Sequence, residues 1–364
     1  MVEFPSLVNF KLDTCGEINL EAIKLGRDDG TCQLKSLYIF SKNHMQLPCK
    51  WKLHLHNLQS LRLYGCWWHE LKSLCFPKLK KLHAVNCGRS ALFTISGFRS
   101  LQQLERLEIR GCDLLEETLE DARGDEHAGM HTEAITLLQL NSVVFKDLPN
   151  LKSFLSGANF ECYMLALKNV EVDNCGLPSI FTHSVFRNLQ QLETLVVSNC
   201  RLLEGIVENE REEETSDTND KVITLFQLSS VTLKDLPNLR SFSRSVSYAL
   251  NLPKLNIFRV LGCPLLETFT CMKTSTGLVS VYSEGHEGEE PGFPMACLVQ
   301  MIRDLLDEPW EHVEVLDISP SSNHAAHSLA ANCISEEGGI HNINTPPGAV
   351  GEIIDGEAQG ERVF

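Results

Sequence analysis

The sequence predicts an α/β solenoid, a stack of short repeats in which each repeat contributes one short parallel strand. Two observations predict it. Residues 136–154 and 224–242 are identical at 14 of 19 positions and begin 88 residues apart. In addition, Cys87, Cys175 and Cys263 follow one another at intervals of 88 residues. Repeats that bury their apolar residues against one another explain such internal similarity.

A nine-residue pattern, L-x-x-L-x-[LIV]-x-x-C with close variants, marks each repeat. The pattern occurs ten times, at 7–15, 34–42, 58–66, 79–87, 104–112, 140–148, 167–175, 192–200, 228–236 and 255–263. Most intervals lie within the 20–29 residues of a leucine-rich repeat. The last two apolar positions are two residues apart, so both point to one side of a short strand and the residues between them face outward. We therefore expect a leucine-rich-repeat horseshoe over 1–270, with about ten repeats and an irregular or helical convex side.

The interval of 88 residues corresponds to three repeats, which indicates that a cassette of three repeats was duplicated. Six residues beyond the end of many repeats an aromatic or aliphatic residue recurs, and we expect these residues to form a second core layer: Phe93, Phe154, Phe181, Ile206, Phe242 and Phe269. The cysteines recur at one repeat position, which favours small buried thiols over disulfides and so a reducing compartment.

Composition predicts where the array is interrupted and where it ends. Residues 116–133 hold seven acids and one arginine, and residues 204–221 hold eight acids and two bases, so each segment has a net charge of −6. We expect both to be solvated insertions. We expect residues 271–319 to form a divergent segment, with a helix near 295–307 and, over 313–321, one strand that retains little of the repeat pattern. Residues 320–364 have the composition of a disordered tail.

The compartment follows from features that the sequence lacks. The chain has no basic stretch followed by an apolar run at its start, no run of 18 apolar residues and no Asn-x-Ser/Thr acceptor. We expect a cytoplasmic protein without a membrane span. Met1 lies almost directly before a repeat strand with no polar cap, so we expect a fragment, a truncated product or a repeat-only relative.

Charge and aromatic residues predict a binding surface. Although the net charge is −16 at pH 7, the acidic segments account for more than that, so the repeats themselves are basic. Outward strand positions hold both bases and aromatic residues, the composition of a protein-binding hot spot. The predicted partner-binding residues are Lys35, Tyr38, Phe40, Arg62, Tyr64, Lys80, Lys81, His83, Arg106 and Arg110. Trp67 and Trp68 either join this surface or fold back over the core.

A protein with acidic patches is the expected partner of such a surface. Nucleic acid is disfavoured, because the mobile acidic segments would compete with phosphates for the same basic face.

The sequence contains no nucleotide-binding, hydrolase or zinc-protease motif, so we expect neither an enzyme nor a bound cofactor. Two histidine pairs could suggest a metal. His54 and His56 lie in an apolar stretch without a further ligand, and His127 and His131 lie within an acidic segment that has little to hold them rigid. We therefore predict no metal site.

Several stretches resemble a known family. They are 4–15 and 76–87, with F-P-x-L and a final cysteine, 101–120 and 189–210, with L-Q-Q-L-E, and the two copies of KDLPNL[KR]SF. These resemble the leucine-rich repeats of plant coiled-coil, nucleotide-binding disease resistance proteins, over about 1–270. The resemblance implies a role in defence. Such repeats recognise a pathogen effector or an altered host protein, and they restrain a nucleotide-binding domain in cis or in trans.

The sequence also departs from that family, because it has no P-loop and no N-terminal coiled coil, so an ATP-dependent switch is not assigned to it. One alternative is a stand-alone repeat scaffold or adaptor, such as the substrate receptor of a ubiquitin ligase, although no F-box-like segment precedes the repeats. An extracellular receptor domain is opposed by the absent signal peptide and glycosylation acceptors. An enzyme would need a site that the sequence does not contain.

Overall fold

The chain folds as two compact units, Met1–Leu189 and Gln190–Phe364. The structure is a computed structural model, and it describes residues 2–4, 6–14, 23–25, 32–46, 55–67, 76–88, 91–120, 133–154, 160–208, 222–243, 249–266, 272–273, 278–284 and 312–317.

The first unit contains fourteen strands and two helices within its described residues. The strands are β1 (Val2–Phe4), β2 (Asn9–Thr14), β3 (Ile23–Leu25), β4 (Ser36–Gln46), β5 (Ser60–Trp67), β6 (Lys81–Val85), β7 (Ala91–Thr94), β8 (Arg106–Arg110), β9 (Glu117–Glu120), β10 (Glu133–Thr136), β11 (Ser142–Leu148), β12 (Phe160–Tyr163), β13 (Asn169–Cys175) and β14 (Phe181–Thr182). The helices are α1 (Ile95–Arg99) and α2 (His183–Arg187).

One parallel ladder carries the predicted repeat strands of this unit. Its strand order is β2-β4-β5-β6-β8-β11-β13, which is also their order along the chain. Equivalent residues of neighbouring repeats lie opposite one another: Leu61 pairs with Leu82, Leu82 with Leu107, and Leu107 with Val143. All four side chains are buried. The prediction of one short parallel strand per repeat is confirmed, and the fold is a parallel β-solenoid.

Where the structure describes them, the other sides of the repeats are formed mostly by short strands, with two short helices. In the first unit β7 pairs with β9, β10 with β12, and β1 with β3, each pair in parallel. The two helices have five residues each and are the described part's only helices. A helical convex side is therefore not confirmed, and the horseshoe curvature stays a prediction.

The two helices lie at equivalent places in the duplicated cassette. Thr94 caps α1 by accepting a hydrogen bond from the Gly97 amide at 3.2 Å, and Thr182 caps α2 by accepting one from the Val185 amide at 3.4 Å. The two threonines are 88 residues apart. A threonine cap satisfies one of the amides that a helix start leaves unpaired, so both copies of the cassette begin their helix by the same contact.

The predicted second core layer is buried wherever the structure describes it. Phe93, Phe154 and Phe181 in the first unit are at most 3% exposed, and Ile206 and Phe242 in the second are fully buried. The ring centroid of Phe154 lies 5.1 Å from that of Phe145 and 5.4 Å from that of Phe181. The first contact joins the strand of a repeat to its second core layer, and the second, edge-on contact connects consecutive repeats. Phe269 lies outside the described residues.

The second unit contains ten strands within its described residues. They are β15 (Thr194–Ser198), β16 (Gly205–Glu208), β17 (Val222–Thr224), β18 (Ser230–Lys234), β19 (Ser241–Ser243), β20 (Ala249–Asn251), β21 (Ile257–Leu261), β22 (Met272–Lys273), β23 (Leu278–Glu284) and β24 (His312–Asp317). The ladder β15-β18-β21-β23-β24 is again parallel. It continues past residue 270, where the leucine pattern fades. Strand β24 covers part of 313–321, the stretch predicted as a last strand with little of the repeat pattern.

The predicted acidic segments are described only at their ends. Within 116–133, Glu117–Glu120 form β9 and Glu133 begins β10, while 121–132 lie outside the described residues. Within 204–221, Gly205–Glu208 form β16, while 209–221 lie outside them. The helix predicted near 295–307 and the tail 320–364 also lie outside.

Eight of the ten repeat strands have a residue in the left-handed conformation at or near their end. Among the described residues, eight have φ between 51° and 66°, and all precede the last position of a repeat: Gly65, Asn86, Gly111, Asp147, Asn174, Asn199, Asp235 and Gly262. Glycine has no Cβ to clash there, and Asn and Asp tolerate this conformation better than other residues. The chain leaves every such strand by the same sharp bend.

The cysteine that follows this bend is a buried, reduced thiol. Eight described cysteines are buried and free. Six of them, from Cys66 to Cys263, have Sγ between 3.2 and 3.4 Å from the carbonyl oxygen two residues earlier. Burial raises the pKa of Cys66 to about 12 and that of Cys263 to about 11. The prediction of packed thiols in place of bridges is confirmed for these residues.

The Leu-Pro-Asn-Leu motif also has a structural role. The Asn150 side-chain amide donates to the carbonyl oxygen of Asp113 at 2.7 Å, and the Asn238 amide donates to that of Arg201 at the same distance. Both contacts connect a repeat to the carbonyl just after the previous cysteine. The motif is repeated because the same loop carbonyl needs a partner in each cassette.

Replacing Asn174 tests the cost of the left-handed bend. Asn174 has φ 51°, and its side chain donates to Asp147 Oδ1 at 2.8 Å. We expect Asn174→Ala to lower the free energy of unfolding in urea by roughly 1–2 kcal/mol, because alanine lacks the polar side chain through which asparagine tolerates this φ and is strained there. Asn174→Gly removes the same hydrogen bond without that strain and should be less costly. Equal losses would assign the effect to the hydrogen bond instead.

Candidate partner-binding face

Four consecutive ladder strands bring the predicted binding residues onto one surface. In register, Tyr38 lies opposite Arg62, Arg62 opposite His83, and Phe40 opposite Tyr64. Because alternate residues of a strand point to opposite sides, these side chains lie outside the leucine columns. We call the outward side chains of β4, β5, β6 and β8, with the residues just before these strands, the candidate face. All ten predicted residues belong to it: Lys35, Tyr38, Phe40, Arg62, Tyr64, Lys80, Lys81, His83, Arg106 and Arg110.

An aromatic cluster occupies the end of the candidate face nearer the N-terminus. The ring centroid of Tyr64 lies 5.4 Å from that of Tyr38, 6.0 Å from that of Phe40 and 5.1 Å from that of His83. The Lys11 ammonium lies 5.1 Å from the centroid of the Tyr38 ring, within range of a cation–π contact. The four rings are half-buried, so each supports its neighbours while part of its surface stays accessible.

A buried carboxylate organises the opposite end of the candidate face. Glu108 is 7% exposed. Its Oε2 accepts a hydrogen bond from Arg106 Nη2 at 3.2 Å, and its Oε1 lies 2.7 Å from Arg110 Nε and 3.4 Å from His83 Nε2. The last two distances are within ion-pair range but do not have hydrogen-bond geometry. Glu108 therefore holds two arginines and a histidine from two neighbouring strands.

Sequence reasoning missed Glu108, because a residue between the two apolar strand positions, here Leu107 and Ile109, was expected to face outward. The available signal was local. In RLEIR, Glu108 lies between Arg106 and Arg110 on the same side of a strand, since alternate residues share a side. Burying a carboxylate is costly unless cations and hydrogen bonds compensate for it. A lone acid between two bases on one strand face was therefore a candidate for burial.

Burial also shifts the pKa values of the His83 imidazole and the Tyr64 phenol. Desolvation, the largest cause, lowers the pKa of His83 below 6.5, and the nearby arginines lower it further, whereas Glu108 opposes them. Desolvation likewise raises the pKa of Tyr64 above 10.0. At neutral pH the imidazole is uncharged and the phenol is protonated. The Tyr64 hydroxyl lies 3.2 Å from His83 Nδ1, so it can donate to that nitrogen.

The bases of the candidate face differ in how far they are compensated. Lys80 pairs with Glu105 at 2.9 Å, an exposed contact that contributes less than about 1 kcal/mol. Lys35, Arg62 and Lys81 are exposed. In the part of the chain that the structure describes, their side chains make no ion pair. The side chains of Trp67 and Trp68 lie outside the described residues, so their place stays a prediction.

The described residues hold no group of three or more His, Cys, Asp or Glu side chains that could bind a metal ion. Of the histidines considered as metal ligands, His56 is described; it is exposed and its Nε2 lies 3.1 Å from the Asn57 amide nitrogen. His54, His127 and His131 lie outside the described residues. No described helix has the length and apolar character needed to cross a membrane.

In-register parallel strands, leucine columns and buried cysteines define a leucine-rich-repeat solenoid, a class that typically provides extended protein-binding surfaces without catalysis. Residues 51–201 and 160–281 match the profile described as plant disease resistance protein RPS2-like, leucine-rich repeats. These residues span more than half of the chain, which therefore belongs to this family. The resemblance to the repeats of plant disease resistance proteins is confirmed. No curated protein gives a significant match.

Replacing Glu108 tests whether the buried carboxylate stabilises the candidate face. We expect Glu108→Gln to lower the free energy of unfolding in urea by about 1–3 kcal/mol, because charged hydrogen-bond partners lose their counter-charge. Glu171→Gln is the matched control, since Glu171 occupies an equivalent outward position on β13 and pairs with Lys146 while 39% exposed. That control should cost less than about 1 kcal/mol. Equal costs would contradict a special role for Glu108.

Replacing His83 tests the pH dependence that its burial implies. The pKa of His83 in the folded chain lies below 6.5, its ordinary value. Protonation therefore favours unfolding, and the stability due to neutral His83 is present above pH 6.5 and is lost as the pH falls through the folded value. We expect the fall in Tm of the unsubstituted chain between pH 7 and pH 5 to be smaller in His83→Gln. An unchanged pH profile would show that His83 is not the titrating group.

Proposed function

We propose that this chain is a non-catalytic protein-recognition module in plant defence and that it binds its partner through the candidate face. The observation that carries the proposal is the half-exposed cluster of Tyr38, Phe40 and Tyr64 beside the exposed Arg62. Tyrosine and arginine are enriched among the residues that dominate binding energy at protein interfaces. Family membership supports the defence role.

The rigidity of the candidate face supports the same proposal. Its side chains project from strands that are hydrogen-bonded on both sides, and the rings contact one another. A preorganised surface loses less conformational entropy on binding than a loop does. We propose a pathogen effector or a modified host protein as the partner, in the cytoplasm.

Restraint of a nucleotide-binding domain is the second part of the proposal. The resemblance to resistance proteins implies that their repeats hold such a domain inactive, in cis or in trans. Exposed bases such as Arg62 and Lys81 would supply the contact to its acidic surface. Recognition and restraint through one face would be mutually exclusive, so partner binding would release the domain.

Alanine replacement of the aromatic cluster tests the proposal. Full-length chain and the Tyr38→Ala, Phe40→Ala, Tyr64→Ala variant would be expressed in plant tissue, and captured proteins compared by quantitative mass spectrometry. Calorimetry on the purified pair would then give Kd for the most enriched protein. We expect at least about a hundredfold weaker binding, because hot-spot residues cost 2 kcal/mol or more each.

The matched control removes three exposed apolar residues that do not belong to the candidate face: Leu138→Ala, Leu165→Ala and Phe226→Ala. Circular dichroism and urea unfolding would establish that both variants remain folded. The control should bind within about threefold of the unsubstituted chain, since single exposed apolar residues are usually energetically neutral. Retained binding by the aromatic variant would place the partner elsewhere.

A further inference from the structure

The aromatic cluster forms a continuous shelf across three strands. Tyr38 and Phe40 come from β4, Tyr64 from β5 and His83 from β6, with Tyr64 within 6.0 Å of each of the other rings. Because the pKa of His83 is lowered and that of Tyr64 is raised, the shelf is uncharged at neutral pH. An uncharged platform of half-exposed rings suits an aromatic or branched apolar side chain.

Exposed cations lie beside this shelf. Arg62 lies in register between Tyr38 and His83, is exposed, and has no ion pair within the described ranges. Lys81 lies in register opposite Arg106, and both are exposed. Two like charges side by side repel each other unless an anion joins them. The guanidinium of Arg62 can bind a carboxylate through two parallel hydrogen bonds.

Glu108 compensates part of the positive charge beside the shelf. Its single negative charge is shared by Arg106 and Arg110, and His83 beside it is uncharged. One of the two arginine charges is therefore uncompensated, in addition to those of Arg62 and Lys81. The contacts to Glu108 also fix both arginines in place, so the positive border is preorganised.

We infer that the candidate face binds a partner segment in which acidic side chains flank an aromatic or branched apolar residue. The apolar side chain lies on the shelf of Tyr38 and Tyr64. Its carboxylates pair with Arg62, which lies in register among the rings, and with Lys81 and Arg106, which lie beyond Arg62 toward β8. This inference rests on the proposed function, and it names the chemistry of the partner.

The carboxylates of the same surface favour a protein segment over single-stranded nucleic acid. Stacked bases also suit a face that combines rings with arginine. However, Asp13, Glu105 and Glu108 lie among the bases, and Glu105 and Asp13 are not buried. A chain of phosphates carries a charge at every nucleotide and would pass close to these acids. A peptide can place its few carboxylates at the cations alone.

Short probe peptides test the inference on the full chain. The probes are the labelled peptides acetyl-Glu-Glu-Phe-Glu-Glu-amide and acetyl-Lys-Lys-Phe-Lys-Lys-amide, measured by fluorescence polarisation. We expect the acidic peptide to bind at least about tenfold more tightly, and its affinity to fall as salt rises. Replacing its phenylalanine by alanine should weaken binding about tenfold or more, since the shelf would be left uncovered.

Charge reversal identifies the cations. Arg62→Glu and, independently, Lys81→Glu should each weaken the acidic peptide about tenfold or more and strengthen the lysine peptide. Lys254→Glu is the control, because it makes the same charge change at an exposed lysine of the second unit. That variant should leave both affinities within about twofold, since Lys254 is not part of the candidate face.

Three results would overturn the inference. They are equal binding of the two peptides, equal effects of Arg62→Glu and Lys254→Glu, and displacement of the acidic peptide by octauridine in an Arg62-dependent manner. The last result would assign the face to nucleic acid. Any of them could occur while the aromatic residues still bind the protein partner, so this inference can fail without the proposed function. Conversely, the alanine variant could keep its affinity for the protein partner while the peptide results come out as expected. That outcome would contradict the proposed function and leave this inference intact.

Discussion

In-register parallel pairing of consecutive repeats is the constraint on which the rest of this structure depends. Each inner ladder strand is hydrogen-bonded to the strands of the repeats before and after it, so equivalent residues form columns across the repeats. A slip of one residue would turn the leucines outward and bury the polar residues. The left-handed residue at or near the end of eight repeat strands, such as Asn86 or Gly111, supports this register by turning the chain at the same repeat position.

The same columns determine the chemistry of the candidate face. Arg110 lies opposite Lys146, two like charges that would repel each other without counter-ions. Each has a glutamate in the adjacent column, Glu108 for Arg110 and Glu171 for Lys146. Lys146 on β11 therefore has its own counter-charge, whereas on β8 the single charge of Glu108 is shared by Arg106 and Arg110. Compensation is missing on β5 and the start of β6, where the rings also lie, so positive charge and accessible aromatic surface coincide.

The parts of the structure that the sequence predicts are those that repeat. The spacing of the leucines is sufficient to predict the strands of the inner ladder, and the recurrence of cysteine at one repeat position is sufficient to predict that these thiols are buried. Strands of the other sides, such as β7 and β9, are four residues long and have no alternating pattern. Strands β23 and β24 pair with the ladder without its leucines. The burial of Glu108 has a local signal in Arg106 and Arg110, but His83, which also contacts it, is 25 residues away in sequence, so the local pattern predicts only part of this cluster.

Register also limits how the candidate face can change. An outward residue of a solenoid contributes little to the core, so such faces can vary without loss of the fold. Glu108 is an exception, because it couples His83, Arg106 and Arg110 through one buried carboxylate. Removing both arginines would leave that charge buried without a partner, which is strongly destabilising. Arg62, Lys81 and the accessible ring surface do not compensate a buried charge, so replacing them does not destabilise the fold in this way. Partner specificity can therefore be altered at these positions, while the charged cluster keeps the same geometry beneath.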